Sequence, residues 1–282
     1  MISELHETCR KLLQDGSVQV VIGYGREAAG DRACPAFITR PEDVERLVWN
    51  ESCFFNLATY LTRPEVQKLG KAAICVKPCD ERAIVVLEKE SQIDRSQLVV
   101  IGLPCEGVGQ PRLPKCATCG VHVPRHADIV VGRPPADAPA ADGKSRYAAL
   151  EEFMKKTPEE RLAYWRRELS RCVKCYACRQ VCPMCYCRQC IVDKNRPVAI
   201  SASATLKGNF AWQIARAFHL AGRCVGCDEC TRVCPAGIDL RLLNLSLAKA
   251  AEENFDFRAG VDPEAEPIIG AFRQQDHEEF IR

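Results

Sequence analysis

The chain lacks any long apolar run: nothing in it approaches the roughly 18 consecutive apolar residues that a bilayer span requires, so no membrane helix is read from it. No secretory leader is expected either, because residues 1–7 are polar and acidic rather than basic and then apolar. A cytoplasmic protein is therefore expected, held at a membrane only through a partner. Net charge is close to absent, +2 from 39 basic and 37 acidic residues, which removes the bulk electrostatic reason to bind nucleic acid. Histidines are few, and His6, His122, His126, His219 and His277 share no ligand spacing; surface or core roles are expected for them. No general acid, base or nucleophile constellation stands out. The chain by itself is not read as making or breaking bonds.

Cysteine is what the chain has in excess: 19 of 282 residues. Exported chains use such numbers for disulfides, but the count is odd and no export signal is present, which leaves metal ligation as the main use for so many thiols. With 47% apolar and 27% charged residues the composition is that of a soluble globular protein long enough for two domains.

Residues 133–144 are rich in Pro and Ala without apolar periodicity and read as a linker. Residues 1–132 before it alternate helix and strand. Ile2, Leu5, Leu12 and Leu13 fall on one side of a first helix, residues 18–22 form a strand, and 41–48 form a helix with Pro41 in its first turn. Strands at 72–76 and 98–103 each run into a Pro-Cys-acid turn, at Cys79 and Cys105, the first followed by a helix over 81–90. A last strand is expected at 127–132. Such alternation predicts an α/β domain with a mostly parallel sheet. Residues 145–255 read as mainly helical, with starts or spans at Thr157, 209–221 and 240–251, the last placing Leu240, Leu243 and Leu247 on one face. Phe210, Trp212 and Phe218 read as core packing. Residues 256–282 form an acidic tail, either a docking segment or unstructured.

Two runs in the helical part share one pattern. Cys172, Cys175, Cys178 and Cys182 precede Pro183; Cys224, Cys227, Cys230 and Cys234 precede Pro235. Both are C-x2-C-x2-C-x3-C-P, the two-cluster ferredoxin spacing, in which three close thiolates hold one [4Fe-4S] cluster and the fourth cysteine serves the other. This assigns Cys172, Cys175, Cys178 and Cys234 to one cluster and Cys224, Cys227, Cys230 and Cys182 to a second. Structural zinc uses two separated ligand pairs rather than four thiols in one short run. Cys185, Cys187 and Cys190 follow the first run and stay open to three readings: spare thiols, a replacement for Cys182, or an additional cluster. Basic residues crowd the stretch from Arg166 to Arg196, against Glu168 and Asp193; they either form a solvated face or favour an anionic cluster. Oxygen-sensitive clusters imply an anaerobic or micro-aerobic source.

The first part carries Cys79 in its Pro-Cys-acid turn, Cys105 after Ile101, Gly102, Leu103 and Pro104, and Cys116-x-x-Cys119 ahead of the 127–132 strand. On these residues the chain resembles the beta subunit family of deazaflavin-reducing hydrogenase and formate dehydrogenase over most of residues 10–132. The resemblance implies a third [4Fe-4S] cluster on Cys79, Cys105, Cys116 and Cys119, beside FAD that exchanges hydride with the deazaflavin. Two departures bear on the flavin. Only ten residues separate Cys105 from Cys116, where the family has a long segment, and residues 49–55 lack the family's flavin-contact pattern of Gly, Lys and Tyr. Gly23, Gly25 and Gly30 do not make a dinucleotide fingerprint. Cys9, Cys34, Cys53 and Cys75 read as small buried hydrophobes.

The function expected is therefore an iron–sulfur electron-transfer subunit of an anaerobic redox complex. It would relay single electrons between a hydrogenase, formate dehydrogenase or heterodisulfide reductase-like partner and another redox subunit. The competing expectation is a flavin-containing subunit that oxidises or reduces a deazaflavin or nicotinamide and splits hydride into single electrons.

Overall fold

Small and β-branched apolar residues concentrate in short runs in the first part of the chain, and these become a sheet buried on both faces. The structure, a computed structural model, describes residues 1–27, 30, 32–134, 145–194 and 196–268. Most of the linker reading (135–144) and the end of the tail reading (269–282) lie outside the described residues. Two compact units emerge, Met1–Arg146 and Tyr147–Arg282.

The first unit runs α1 (Ile2–Gln14), β1 (Val20–Arg26), β2 (Ala33–Ile38), 3-10 turns at Pro41–Arg46 and Leu57–Tyr60, α2 (Pro64–Gln67), β3 (Ala72–Val76), α3 (Pro78–Lys89), a 3-10 turn at Arg95–Gln97, β4 (Leu98–Gly102), α4 (Pro114–Ala117) and β5 (Ile129–Val130). The sheet order is β2-β1-β3-β4-β5. β1, β3, β4 and β5 are parallel, in register at Val20↔Ala72, Ala72↔Leu98 and Ile101↔Ile129, while β2 joins β1 antiparallel with Val21↔Ile38. The sheet is thus mixed but mostly parallel. On one face Val21, Ala73, Cys75, Ile101 and Leu103 pack with Leu5 and Cys9 of α1. Their strand neighbours Ile22, Ile74, Val76 and Val100 are buried as well, which is why these strands read as unbroken apolar runs.

Several expectations shift here. β2 carries Pro35, whose missing N–H is tolerated only because β2 is the sheet edge; no strand is expected there from sequence. The 41–48 helix is a 3-10 turn over Pro41–Arg46. Ile2 is exposed at 38%, so Leu5 and Cys9 lead the buried side of α1 instead. α3 begins at Pro78 rather than Glu81, which puts Cys79 inside its first turn. The last strand spans two residues only.

The second unit has α5 (Ala148–Met154), α6 (Pro158–Ser170), α7 (Ala177–Gln180), a 3-10 turn at Ile191–Asp193, α8 (Leu206–His219), α9 (Glu229–Arg232) and α10 (Leu240–Phe255). Its core joins Leu150 and Phe153 of α5 with Leu242 and Leu245 of α10, flanked by Tyr164 and Trp165. The buried side of α10 is therefore Leu240, Leu242 and Leu245, with Leu243 and Leu247 half-buried. Trp212 is buried as expected, but Phe218 is exposed at 61%.

α6 starts as its sequence predicts. The Glu160 N–H donates to Thr157 Oγ1 (3.2 Å) and the Thr157 N–H to Glu160 Oε2 (2.8 Å), a reciprocal cap with Pro158 at the first helical position. Thr157→Ala should cost about 1 kcal/mol. A lower urea midpoint with unchanged metal content is the expected result.

Candidate iron–sulfur sites

Each cysteine run of the second unit wraps through the same backbone. Lys174 and Tyr176 in the first run have φ of 52° and 58°; Gly226 and Asp228, at the matching places in the second, have 72° and 62°. These left-handed residues turn the chain twice within a few residues. The short helices that follow, α7 and α9, pack against each other and carry Cys178 and Cys230 inward, both buried. The repeated spacing is thus a repeated fold.

Cys172, Cys175, Cys178 and Cys234 line one cavity together with Lys174, Trp212, Gln213 and Ile238. Cys234 reaches it from the second run. One apolar cluster holds Cys172, Cys178 and Cys234 and also Cys230 of the other set, with Leu169, Ile238 and Leu240. In the other set, burial pushes the Cys230 thiol up to about 12; the Arg216 guanidinium opposes this, while Cys224 and Cys182 lie near enough to add to it. Cys227 is buried in the same loop. Cys182 is thus within electrostatic reach of Cys230, as Cys224 is.

The three extra thiols occupy different surroundings. Cys185 lies beside the Cys182 thiol and near the Arg216 side chain, Cys187 is exposed, and the Cys190 N–H donates to Asp193 Oδ2 at 3.3 Å. Among the described residues no three His, Cys, Asp or Glu side chains gather as a single metal ion would need.

Polar side chains missed from sequence complete this unit. Asn209, Gln213 and Arg216 form an i, i+4, i+7 stripe on α8, all buried. Asn209 Nδ2 donates to Leu169 O and Cys172 O, each at 2.8 Å. Gln213 Nε2 donates to Cys178 Sγ (3.9 Å) and, from α10, Asn244 Nδ2 donates to Cys230 Sγ (3.6 Å). Arg216 donates to Cys178 O at 3.0 Å. The signal was available as polar residues at helical spacing inside an otherwise apolar helix. Within the 166–196 basic run, Arg167 and Arg171 pair with Glu168, and Arg179 with Asp193.

In the first unit, β3 ends into Cys79 and β4 into Cys105, at the carboxyl edge where open α/β sheets place their sites. Cys79 lies near Cys105, and Cys105 near Cys116. Backbone N–H groups point at sulfur: Gly107 to Cys105 Sγ (3.3 Å), Val108 to Cys116 Sγ (3.4 Å) and Val121 to Cys119 Sγ (3.4 Å). Gly107 needs its positive φ of 123° to fold this loop, and a Cβ there would lie 3.3 Å from Cys116 Cβ. His122 clips the loop, with Nδ1 2.8 Å from Cys105 O and Nε2 3.0 Å from Cys119 O. Burial, reinforced by Asp80, pushes the Cys79 thiol well up, while Lys115 and Lys77 act the other way. Cys9, Cys53 and Cys75 are buried as expected, and Cys34 is half-buried.

Beneath Cys79 lies a fully buried ion pair, Lys77 Nζ to Asp80 Oδ2 at 2.5 Å. Lys77 also donates to Tyr24 OH and to Phe55 O (2.8 Å). His122→Leu should remove the imidazole N–H from one of the two loop carbonyls, Cys105 O or Cys119 O, at about 1–3 kcal/mol. A lower denaturation midpoint is the expected result, read by urea titration.

Both places suit an anionic group ligated by thiolate. They offer sets of cysteine sulfurs, N–H donors aimed at those sulfurs, and in the second unit a buried guanidinium whose Nε has no hydrogen-bond partner. A buried cation left so is costly unless an anion compensates it.

Comparison with known proteins agrees with this chemistry. A family model for a 4Fe-4S dicluster domain matches residues 168–238. The chain is 25% identical to the F420-dependent formate dehydrogenase 1 subunit beta of Methanococcus maripaludis, over 92% of this chain and 90% of that one. It is 22% identical to the F420-dependent formate dehydrogenase subunit beta of Methanocaldococcus jannaschii, over 85% and 86%. These alignments run over 354 and 332 positions, against 282 residues here, so the relatives carry segments that this chain does not. Among the described residues no helix is long and apolar enough to cross a membrane.

Proposed function

We propose that the chain is the iron–sulfur electron-transfer subunit of a formate dehydrogenase-like redox complex. In this reading, residues 1–132 form a hydrogenase-beta-like α/β domain with one [4Fe-4S] cluster on Cys79, Cys105, Cys116 and Cys119. Residues 145–255 form a ferredoxin-like domain with two, on Cys172, Cys175, Cys178 and Cys234 and on Cys224, Cys227, Cys230 and Cys182. The single observation that carries it is the convergence of Cys172, Cys175, Cys178 and Cys234, from two separate runs, on one cavity. When bound, such clusters supply one-electron transfer. The chain's own residues fix the thiol positions, exclude water with Leu169, Ile238 and Leu240, and direct N–H donors at sulfur, which favours the reduced form. Formate dehydrogenase is the partner class that the relatives favour over a hydrogenase or a heterodisulfide reductase-like protein.

A second reading, the flavin-containing subunit, is favoured by the F420-dependent names of the relatives. Against it stand the ten-residue interval between Cys105 and Cys116 and the lost pattern at 49–55. Anaerobic reductive titration separates the two. Uptake of about three electrons per chain, one per cluster, with no flavin released on denaturation, supports the first reading. Stoichiometric FAD supports the second, and a chain that takes up no electrons overturns both.

A further inference from the structure

We propose that Arg216 is a fixed positive charge shared by the two clusters of the second unit, and that it holds both reduction potentials up. The proposal rests on the ligand assignment above and deepens it by naming a residue that tunes the bound groups.

Three observations carry it. Arg216 projects from α8 and is only 3% exposed, so bulk solvent and salt screen it little. It lies between the two ligand sets. It donates to Cys178 O at 3.0 Å on one side; on the other it is within electrostatic reach of Cys182, Cys185 and Cys230. Finally, no carboxylate pairs with it among the described residues, and its Nε lacks any hydrogen-bond partner.

Other cations of this unit are placed differently: Arg241, whose Nε also lacks a partner, is only half-buried. Arg171, Arg179 and Arg232 are paired with Glu168, Asp193 and Glu229. Lys174 is buried and donates to Ser201 O, and it lines the cavity of the Cys172 set. The neutral donors Gln213 and Asn244 each serve one sulfur, Cys178 and Cys230 respectively.

The physical consequence follows from charge. A cluster held by four thiolates is an anion, and reduction adds one more negative charge. A guanidinium in a poorly screened site stabilises the more negative state and so raises the potential. It also eases the repulsion of bringing two anions into one small domain. Because the guanidinium is within electrostatic reach of Cys182 and Cys230 as well as Cys178, the same charge acts on both.

The test uses the full chain, loaded anaerobically, with Arg216→Gln, Arg216→Lys and, as a control, Arg179→Gln. Iron and sulfide are quantified first, and then each cluster is titrated by EPR. The expected result is wild-type iron in all variants, both second-unit potentials shifted negative in Arg216→Gln, and little shift in Arg216→Lys or Arg179→Gln. Full iron with unshifted potentials in Arg216→Gln overturns the proposal. Should Arg216→Gln lose iron, the Lys variant decides. Retained clusters there show that the charge is what matters; loss there too shows a scaffolding role and overturns it. A wild-type chain without [4Fe-4S] signals fails the proposed function itself, before any variant is read.

Discussion

Cys234→Ser should lower the iron content of the chain by about four, one cubane cluster, and so should Cys172→Ser. The double variant should lose no more than either alone. Both side chains line one cavity, although 62 positions of sequence separate them. Residues that serve one group as a unit behave non-additively. Pairing Cys234→Ser with Cys224→Ser has the opposite outcome, a loss of about eight irons, because those thiols are assigned to different clusters. If instead each run held its own cluster, the two pairings would exchange results. Iron and sulfide assays on four variants therefore read the ligand partition directly, provided each is shown by gel filtration to remain monodisperse.

The second large effect is on stability. Lys77 and Asp80 are both fully buried and paired at 2.5 Å, with Tyr24 and Phe55 O completing the shell around the ammonium. Removing one partner strands the other charge in the sheet-side interior. Asp80→Leu or Lys77→Met should each cost about 3–5 kcal/mol, seen as a large drop in the denaturation midpoint. The combined Lys77→Met, Asp80→Leu chain should recover much of that loss, because the apolar pair leaves no charge unpaired. The pair lies at the start of α3 beside Cys79. Single losses below about 1 kcal/mol, the value of an exposed pair, would show that solvent reaches the site.

Much of this was legible in the sequence because the informative features are local. Thiol spacing within a run is set by the turn that must wrap a cluster, so Cys172 to Cys182 and Cys224 to Cys234 can be read without a fold. The Thr157 cap and strands β3 and β4 are local in the same sense. β2 was not legible: Cys34, Pro35 and Ala36 have little strand character by themselves, and their state is decided by the exposed edge of β1. α3 reached back to Pro78 because proline suits a first helical turn, and that moved Cys79 from a loop into a helix. Arg216 escaped for another reason. Basic residues crowd 166–196 in the sequence, where Arg171 and Arg179 have carboxylate partners. The buried, unpaired cation sits later, in a helix whose aromatic residues suggested core.

The most direct test of the account is iron, acid-labile sulfide and zinc quantification on the anaerobically purified chain, with a visible spectrum before and after dithionite. About twelve irons and as many sulfides per chain, with a brown absorbance that bleaches, is the predicted result for three clusters. About eight would remove the first-unit cluster, and about sixteen would give Cys185, Cys187 and Cys190 one of their own. Stoichiometric zinc with no iron would contradict the account.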